Sequence, residues 1–369
     1  MKVICKKEKL TEAINTVQRA VSTKTNYEIL EGILLECTDT FKLTGNDLEI
    51  GIEYIVEADI LNQGSIIINS KMFGEVVRSL PDSDILLQLE ENNTLIIECE
   101  KSYFKLNGIL PEGYPKIPDV QEQNKFEISQ KILKEMIRQT IFSVGMDENK
   151  PILMGSLIEC NNQNINMVAI DGFRIALRKN KNENNTSSFS VIVPGKTLNE
   201  LAKILLPTDT KIQIYLSESQ ILFKFDNFKL TSRLLSGEYI NYKNILPQDF
   251  ELSLKIDRKN LLASLERAVL IATDDKKSPV IFKILGNKVI ISSNTSIGTI
   301  RDEVSVEDNK NELDIGFNPK YFIEALKVID DEKIKISFTS AIGPCVLTPT
   351  EGNSFKYMIL PIRIKEDEE

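Results

Sequence analysis

The strongest constraint on this chain is that it repeats itself. One order of elements occurs three times along 369 residues: strand, amphipathic helix, apolar strand, further strands, second helix, hairpin. The spacing of apolar residues predicts first helices over 10–21, 133–144 and 261–272, with Leu10, Ile14, Val17 and Val21 as the first buried stripe. Apolar strands follow at 29–37, 152–160 and 279–285. In the first two, Gly32 and Gly155, then Cys37 and Cys160, keep one offset of 123 residues. Second helices are expected over 70–81, 195–207 and 319–329, the first two stopped by Pro81 and Pro207. Closing strands are expected over 103–114, 228–239 and 355–364. A unit of this length is too long for a solenoid repeat and suits an independent domain. Domain boundaries are expected at 1–121, 122–247 and 248–369, the joins being polar or proline-rich. Many short alternating strands with only two helices per unit predict an α+β class of antiparallel sheets.

Composition excludes several chemistries. The chain contains no histidine, which removes Ser-His-Asp and Cys-His nucleophiles, imidazole acid–base catalysis and histidine-ligated metals. No phosphate-binding glycine loop and no GxSxG occur. The five cysteines, Cys5, Cys37, Cys99, Cys160 and Cys345, form no CxxC, and read as small buried hydrophobes in a reducing compartment. The amino end has no signal-peptide core, and no apolar run has membrane-spanning length, so the expected location is the cytoplasm. No enzyme activity, metal or cofactor is expected. Asp47 and Asp171 recur at an offset of 124, which fits turn chemistry copied by duplication rather than a catalytic pair.

The formal net charge is −9, yet each of the six repeat helices is net positive, and together they carry +7. The remainder therefore holds −16. Helices lining one surface would offer phosphates a positive track, with an acidic exterior repelling DNA elsewhere. No helix carries a base-reading set, so such contact would be independent of sequence. An interaction scaffold that never touches DNA also explains the repeats, but leaves the basic helices unexplained.

Four segments then carry a resemblance over the full length of the chain. AIDGFRIAL (169–177), EYINYKNILP (238–247), GFNPKYFIEAL (316–326) and YMILPIRI (357–364) resemble segments of the bacterial DNA sliding clamp, the β subunit of DNA polymerase III. The resemblance implies a non-catalytic processivity factor: three clamp domains per chain, and a head-to-tail homodimer closing a six-domain ring around double-stranded DNA. It also implies a hydrophobic pocket between the second and third domains for short peptides of the replicative polymerase, clamp loader and repair proteins. By position that pocket would use Leu153, Ile170, Gly172, Phe173, Arg174, Ile175, Ile240, Ile245, Asn318, Tyr321, Ile342, Pro344, Met358, Ile359, Leu360, Pro361, Ile362 and Arg363. Phe173 stands where the family usually has histidine, and Ile240 where it usually has proline. Lys24 and Lys196 match basic positions near DNA in the family, Lys71 is the first-domain repeat equivalent of Lys196, and the helix charges add Arg78, Arg138, Lys203, Lys320 and Lys327. Phe104 and Leu106, with Ile271 and Ala272, would meet across the dimer contact.

Overall fold

The computed structural model describes residues 1–22, 25–122, 125–182, 188–272, 279–307 and 312–363. Seven α-helices occur among them: α1 Lys7–Val17, α2 Ser70–Ser79, α3 Gln130–Arg138, α4 Gly195–Ile204, α5 Tyr242–Ile245, α6 Arg258–Ala272 and α7 Pro319–Val328. No helix among the described residues is long and apolar enough to cross a membrane. The chain condenses into two compact units, Met1–Ile132 with Glu200–Leu234, and Leu133–Asn199 with Leu235–Glu369. The second repeat is thus shared between them.

In the first unit a five-stranded sheet runs in the order Ala58–Asn62, Lys2–Lys6, Asp84–Leu89, Thr94–Cys99, Ser102–Asn107. An eight-stranded sheet joins Phe126–Ser129, Lys211–Leu216, Gln220–Phe225 and Phe228–Arg233 of the second repeat to Ile50–Val56, Phe41–Asn46, Gly32–Cys37 and Gly64–Asn69 of the first. The seam is an antiparallel ladder in which Phe228 faces Tyr54, Leu230 faces Ile52 and Ser232 faces Ile50. The second unit repeats the device. Its eight-stranded sheet runs Phe189–Pro194, Gly155–Cys160, Asn164–Ile170, Arg174–Lys181, then Phe355–Ile359, Cys345–Pro349, Lys333–Phe338, Leu252–Asp257. Here Ile175 faces Met358 across the seam. A four-stranded sheet completes it, in the order Gly298–Ser305, Lys288–Thr295, Val280–Leu285, Leu313–Phe317.

The helices form where their apolar stripes predict. α1 buries Leu10, Ala13, Ile14 and Val17, and α7 buries Phe322, Ile323, Ala325 and Leu326. Phe322 packs with Phe282 and Phe317, ring centroids 4.9 and 5.0 Å away, in the third-repeat core. Each first helix opens on a side chain that closes the end of the second helix in its repeat. Lys7 donates to the Leu80 carbonyl. Gln130 accepts from the Leu206 amide at 3.1 Å, and Arg258 donates to the Leu326 carbonyl at 3.0 Å. Such groups satisfy the backbone left open at a helix end.

The structure departs from expectation at the apolar strands. Residues 28–31 and 151–154 form 3₁₀ turns, and the strands begin at Gly32 and Gly155. A Cβ on Gly32 would lie 2.2 Å from Ile67 Cγ2, and one on Gly155 2.6 Å from Leu235 Cδ1. Both glycines are packing requirements. The first helices also end earlier than the apolar stripe, at Val17 and Arg138, each followed by a 3₁₀ turn.

All five cysteines are buried and free. Burial pushes the Cys5 thiol up to about 12 and Cys160 to about 11, and raises that of Cys345. Raised pKa values deplete the thiolate, the reactive form. The native protein at pH 8 should therefore react with less than one equivalent of an aromatic disulfide reagent, and with five after unfolding in guanidinium. Rapid native reaction of any one thiol would contradict this packing.

Candidate docking groove and nucleic-acid surface

The sequence segment 169–177 builds one edge of a groove in the second unit. Strands Asn164–Ile170 and Arg174–Lys181 are joined by a turn that Asp171 organises: its Oδ1 accepts from the amides of Phe173 at 2.9 Å and Arg174 at 3.0 Å. Gly172 takes φ +95°, which glycine adopts without strain. Asp47 makes the same turn in the first repeat, accepting from Glu49 and Ile50 at 3.0 and 2.8 Å.

Arg174 is only 8% exposed. Its Nε donates to Asp171 Oδ2 at 2.8 Å, Nη1 pairs with Glu324 of α7, and Nη2 donates to the Phe142 carbonyl at 2.5 Å. The guanidinium lies 4.6 Å from the Tyr321 ring centroid and 5.3 Å from that of Phe142. Arg174 is thus an internal hub joining the turn, the segment after α3, and α7.

Beside it, Leu153, Ile170, Ile175 and Met358 share one apolar cluster, with Leu360 packed against them. The same cluster includes Leu246 and Val346, with Leu177 at its edge, three residues that sequence reasoning missed. Strand alternation from Ile175 gives Leu177, and the ladder opposite Met358 gives Val346. The rim is open: Phe173, Ile240, Ile245 and Ile342 are exposed, Ile342 by 82%. Phe173 stacks on Tyr321 with centroids 6.2 Å apart. The Leu360 amide donates to the Phe173 carbonyl at 2.9 Å, and that of Ile362 to Gly316 at 2.8 Å, fixing the segment around half-buried Pro361. Pro344 is half-buried, Arg363 is exposed, and Asn318 caps α7 by accepting from the Lys320 amide at 3.0 Å. Ile359 belongs to the third-repeat core, because neighbouring strand residues point to opposite faces. A cleft of about 510 Å³ lies along Gly237–Lys243 and includes Ile240, and there Tyr242 donates to Glu159 at 2.6 Å.

The basic residues divide into two sets. Arg138 donates to the Val328 carbonyl at 2.9 Å and pairs with Asp330. Lys203 pairs with Glu200 at 2.6 Å and Lys327 with Glu266 at 3.0 Å. Arg78 donates to Asn15 Oδ1 at 3.0 Å. Lys71, Lys196 and Lys320 are exposed, and each is the second residue of its helix, α2, α4 and α7. Lys24 lies outside the described residues.

Three family models match in order: the N-terminal, central and C-terminal domains of the DNA polymerase III beta subunit, over residues 1–118, 127–241 and 243–363. The chain belongs to this family. The beta sliding clamp of Halalkalibacterium halodurans is 35% identical, covering 98% of this chain and all of that protein, and that of Bacillus subtilis is 34% identical over the same shares. The crystal structure of the Bacillus subtilis DNA polymerase sliding clamp superposes with a TM-score of 0.95 at 33% identity, covering 99% of this chain and all of that one. A Pseudomonas aeruginosa clamp bound to griselimycin gives 0.92 at 25% identity, with the same coverage.

As a sliding clamp of this family, the chain is a non-catalytic processivity subunit of the replicative polymerase. Of the residues at the expected dimer contact, Phe104 and Leu106 sit on a sheet end, and Ile271 and Ala272 at the end of α6. Phe104 and Leu106 are half-buried on Ser102–Asn107, the last strand of the five-stranded sheet. Ile271 is half-buried near the end of α6, and a Cβ on Gly298 of the end strand Gly298–Ser305 would lie 3.7 Å from it. Ala272 is 7% exposed and packs in the third-repeat core.

The hub generates a stability test. Replacing Arg174→Met strands Asp171, and breaking a buried charge pair costs about 3 kcal/mol, lowering the thermal midpoint by roughly 5–10 °C. Arg174→Lys should restore little, because an ammonium cannot serve three separated acceptors in one plane. Unchanged melting of both variants by calorimetry would remove the hub from the fold's supports.

Proposed function

We propose that two copies of this chain join head to tail into a closed cytoplasmic ring around double-stranded DNA. In this reading the groove beside Arg174 holds short linear peptides of the polymerase, clamp loader and repair proteins. The observation that carries it is the lysine series Lys71, Lys196 and Lys320, exposed at one equivalent position in all three repeats. A helix amino terminus already carries partial positive charge, so a lysine in its first turn strengthens a field suited to phosphate. No base edge needs to be read, and such contacts break and reform as the ring moves. Arg138, Lys203 and Lys327 belong to the same basic helices and also pair with carboxylates. The proposed domains remain 1–121, 122–247 and 248–369, a division supported by the order of the three family matches.

Ring closure fits the two end strands. Among the described residues, Ser102–Asn107 and Gly298–Ser305 each leave one side without a strand neighbour in their sheets. An unpaired edge is a template for another strand, and twofold symmetry makes two such contacts per dimer.

Retention on nicked circular DNA tests the reading, because only a closed ring is trapped there. Lys71→Glu, Lys196→Glu and Lys320→Glu combined should reduce loading onto the circle at least about tenfold and flatten the salt dependence of DNA binding, whatever the base sequence. The exterior reversal Glu312→Lys should change little, and Leu106→Lys should give monomers by sedimentation that are never trapped. Equal losses from the lysine and Glu312 variants would overturn the phosphate track.

The groove is tested separately. A peptide with leucine and phenylalanine anchors should bind with a Kd on the order of micromolar, about −8 kcal/mol. Ile245→Glu and Ile342→Glu, both on the exposed rim, should weaken it at least about tenfold without loss of dimer. Normal binding by both variants would place the peptide elsewhere.

A further inference from the structure

The seam that forms the docking groove has a counterpart within the first unit. Gly51 faces Thr231 and Ile50 faces Ser232, as Ile175 faces Met358 and Arg174 faces Ile359. The Asp47 turn copies the Asp171 turn at an offset of 124 residues, and a cavity of about 170 Å³ opens beside it. It is lined by the turn, by the seam strand's end at Thr231 and Arg233, and by the segment 115–118. Register and offset pair the two floors position by position. Ile170 corresponds to Asn46, Ile175 to Gly51, Met358 to Thr231 and Leu360 to Arg233.

The apolar floor has therefore become polar and smaller. Ile117 fills the volume that a side chain at position 51 would need, its Cγ1 lying 2.5 Å from a Cβ built there. Asn46 holds the linker in place, donating to the Pro115 carbonyl at 2.9 Å while accepting from the Leu48 amide at 2.8 Å. Leu48 is 47% exposed at φ +76°, a strained backbone for leucine that keeps its side chain at the rim. Lys116 and Arg233 are exposed, and neither forms an ion pair among the described residues; Glu49 is the one carboxylate on the lining. Two cations beside a small leucine–isoleucine ledge favour an anionic, partly apolar partner.

We propose that this groove is a second docking site, for an extended partner segment that alternates acidic and small apolar side chains. Carboxylates meet Lys116 and Arg233, and the apolar side chain rests on Leu48 and Ile117. The proposal takes its geometry from the docking reading of the first groove, but its ligand is of opposite character.

A fluorescein-labelled hexapeptide alternating aspartate and leucine serves as probe, with fluorescence anisotropy at low ionic strength as readout. Saturable binding is expected, with a Kd on the order of 1 mM or tighter. Lys116→Glu and Arg233→Glu, both at exposed positions, should each weaken it by about tenfold, whereas Ile245→Glu and the remote reversal Lys101→Glu should not. Absence of saturation at several millimolar overturns the proposal, as does an equal loss with Lys101→Glu, which signals diffuse attraction. Loss with Ile245→Glu alone also overturns it, since the probe then occupies the first groove. The leucine–phenylalanine peptide, titrated on the same variants, should bind Lys116→Glu normally. Its failure on the unmutated protein would count against the first groove and leave the hexapeptide result standing.

Discussion

The rest of the structure depends on a backbone ladder between repeats. Each closing strand, Phe228–Arg233 or Phe355–Ile359, pairs with a strand of the neighbouring repeat and makes one eight-stranded sheet out of two four-stranded halves. A ladder satisfies buried amides and carbonyls that a domain end would leave open, which makes the seam expensive to separate. It also dictates where a groove forms. The closing strand runs beyond its partner's turn, and Leu360–Arg363 and Arg233 emerge at a rim lined by two repeats.

The same ladder sorts the cations. Where helices of adjacent repeats meet along a seam, arginine bridges them: Arg19 reaches Glu200 at 3.2 Å, and Arg138 reaches the carboxyl end of α7. Those charges stabilise the fold and are compensated locally. The lysines at the second positions of α2, α4 and α7 are exposed. The net charge of −9 does not by itself decide what approaches the chain, because placement rather than total charge sets the local field.

The repeat, the helices and the α+β class were legible because burial imposes periods of 3.6 and 2 on the sequence. The turns at Asp47 and Asp171 were legible for a local reason, the short reach of an aspartate to amides two and three residues on. What escaped was set by distant contacts. Residues 29–31 read as strand because Ile29 and Leu30 are strand-compatible, whereas the chain turns there to let Gly32 pass under Ile67. Ile359 read as groove lining from its neighbours, yet alternation turns it into the third-repeat core. Counting charge helix by helix overlooked Asp302 and Asp330, which come from other elements to pair with Arg267 and Arg138. Arg174 was expected to line the pocket, but Glu324, 150 positions away, makes it a buried hub.

Duplication also shows which parts of a groove are constrained by geometry and which are free. The aspartate turn is kept in both units, each carboxylate accepting from two amides next to the seam ladder. At the next position the first repeat has Leu48 at φ +76° where the second has Gly172 at φ +95°. A left-handed conformation costs a non-glycine residue roughly 1–2 kcal/mol, while glycine would adopt it freely. Bonds from Asn46 and Asp47 to the turn amides hold that backbone whatever the side chain, so the turn itself does not require leucine. Glycine at 48 would make the same turn with less strain. A leucine there therefore adds apolar surface at a rim at the expense of stability, and that surface is the ledge on which the proposed second docking site rests.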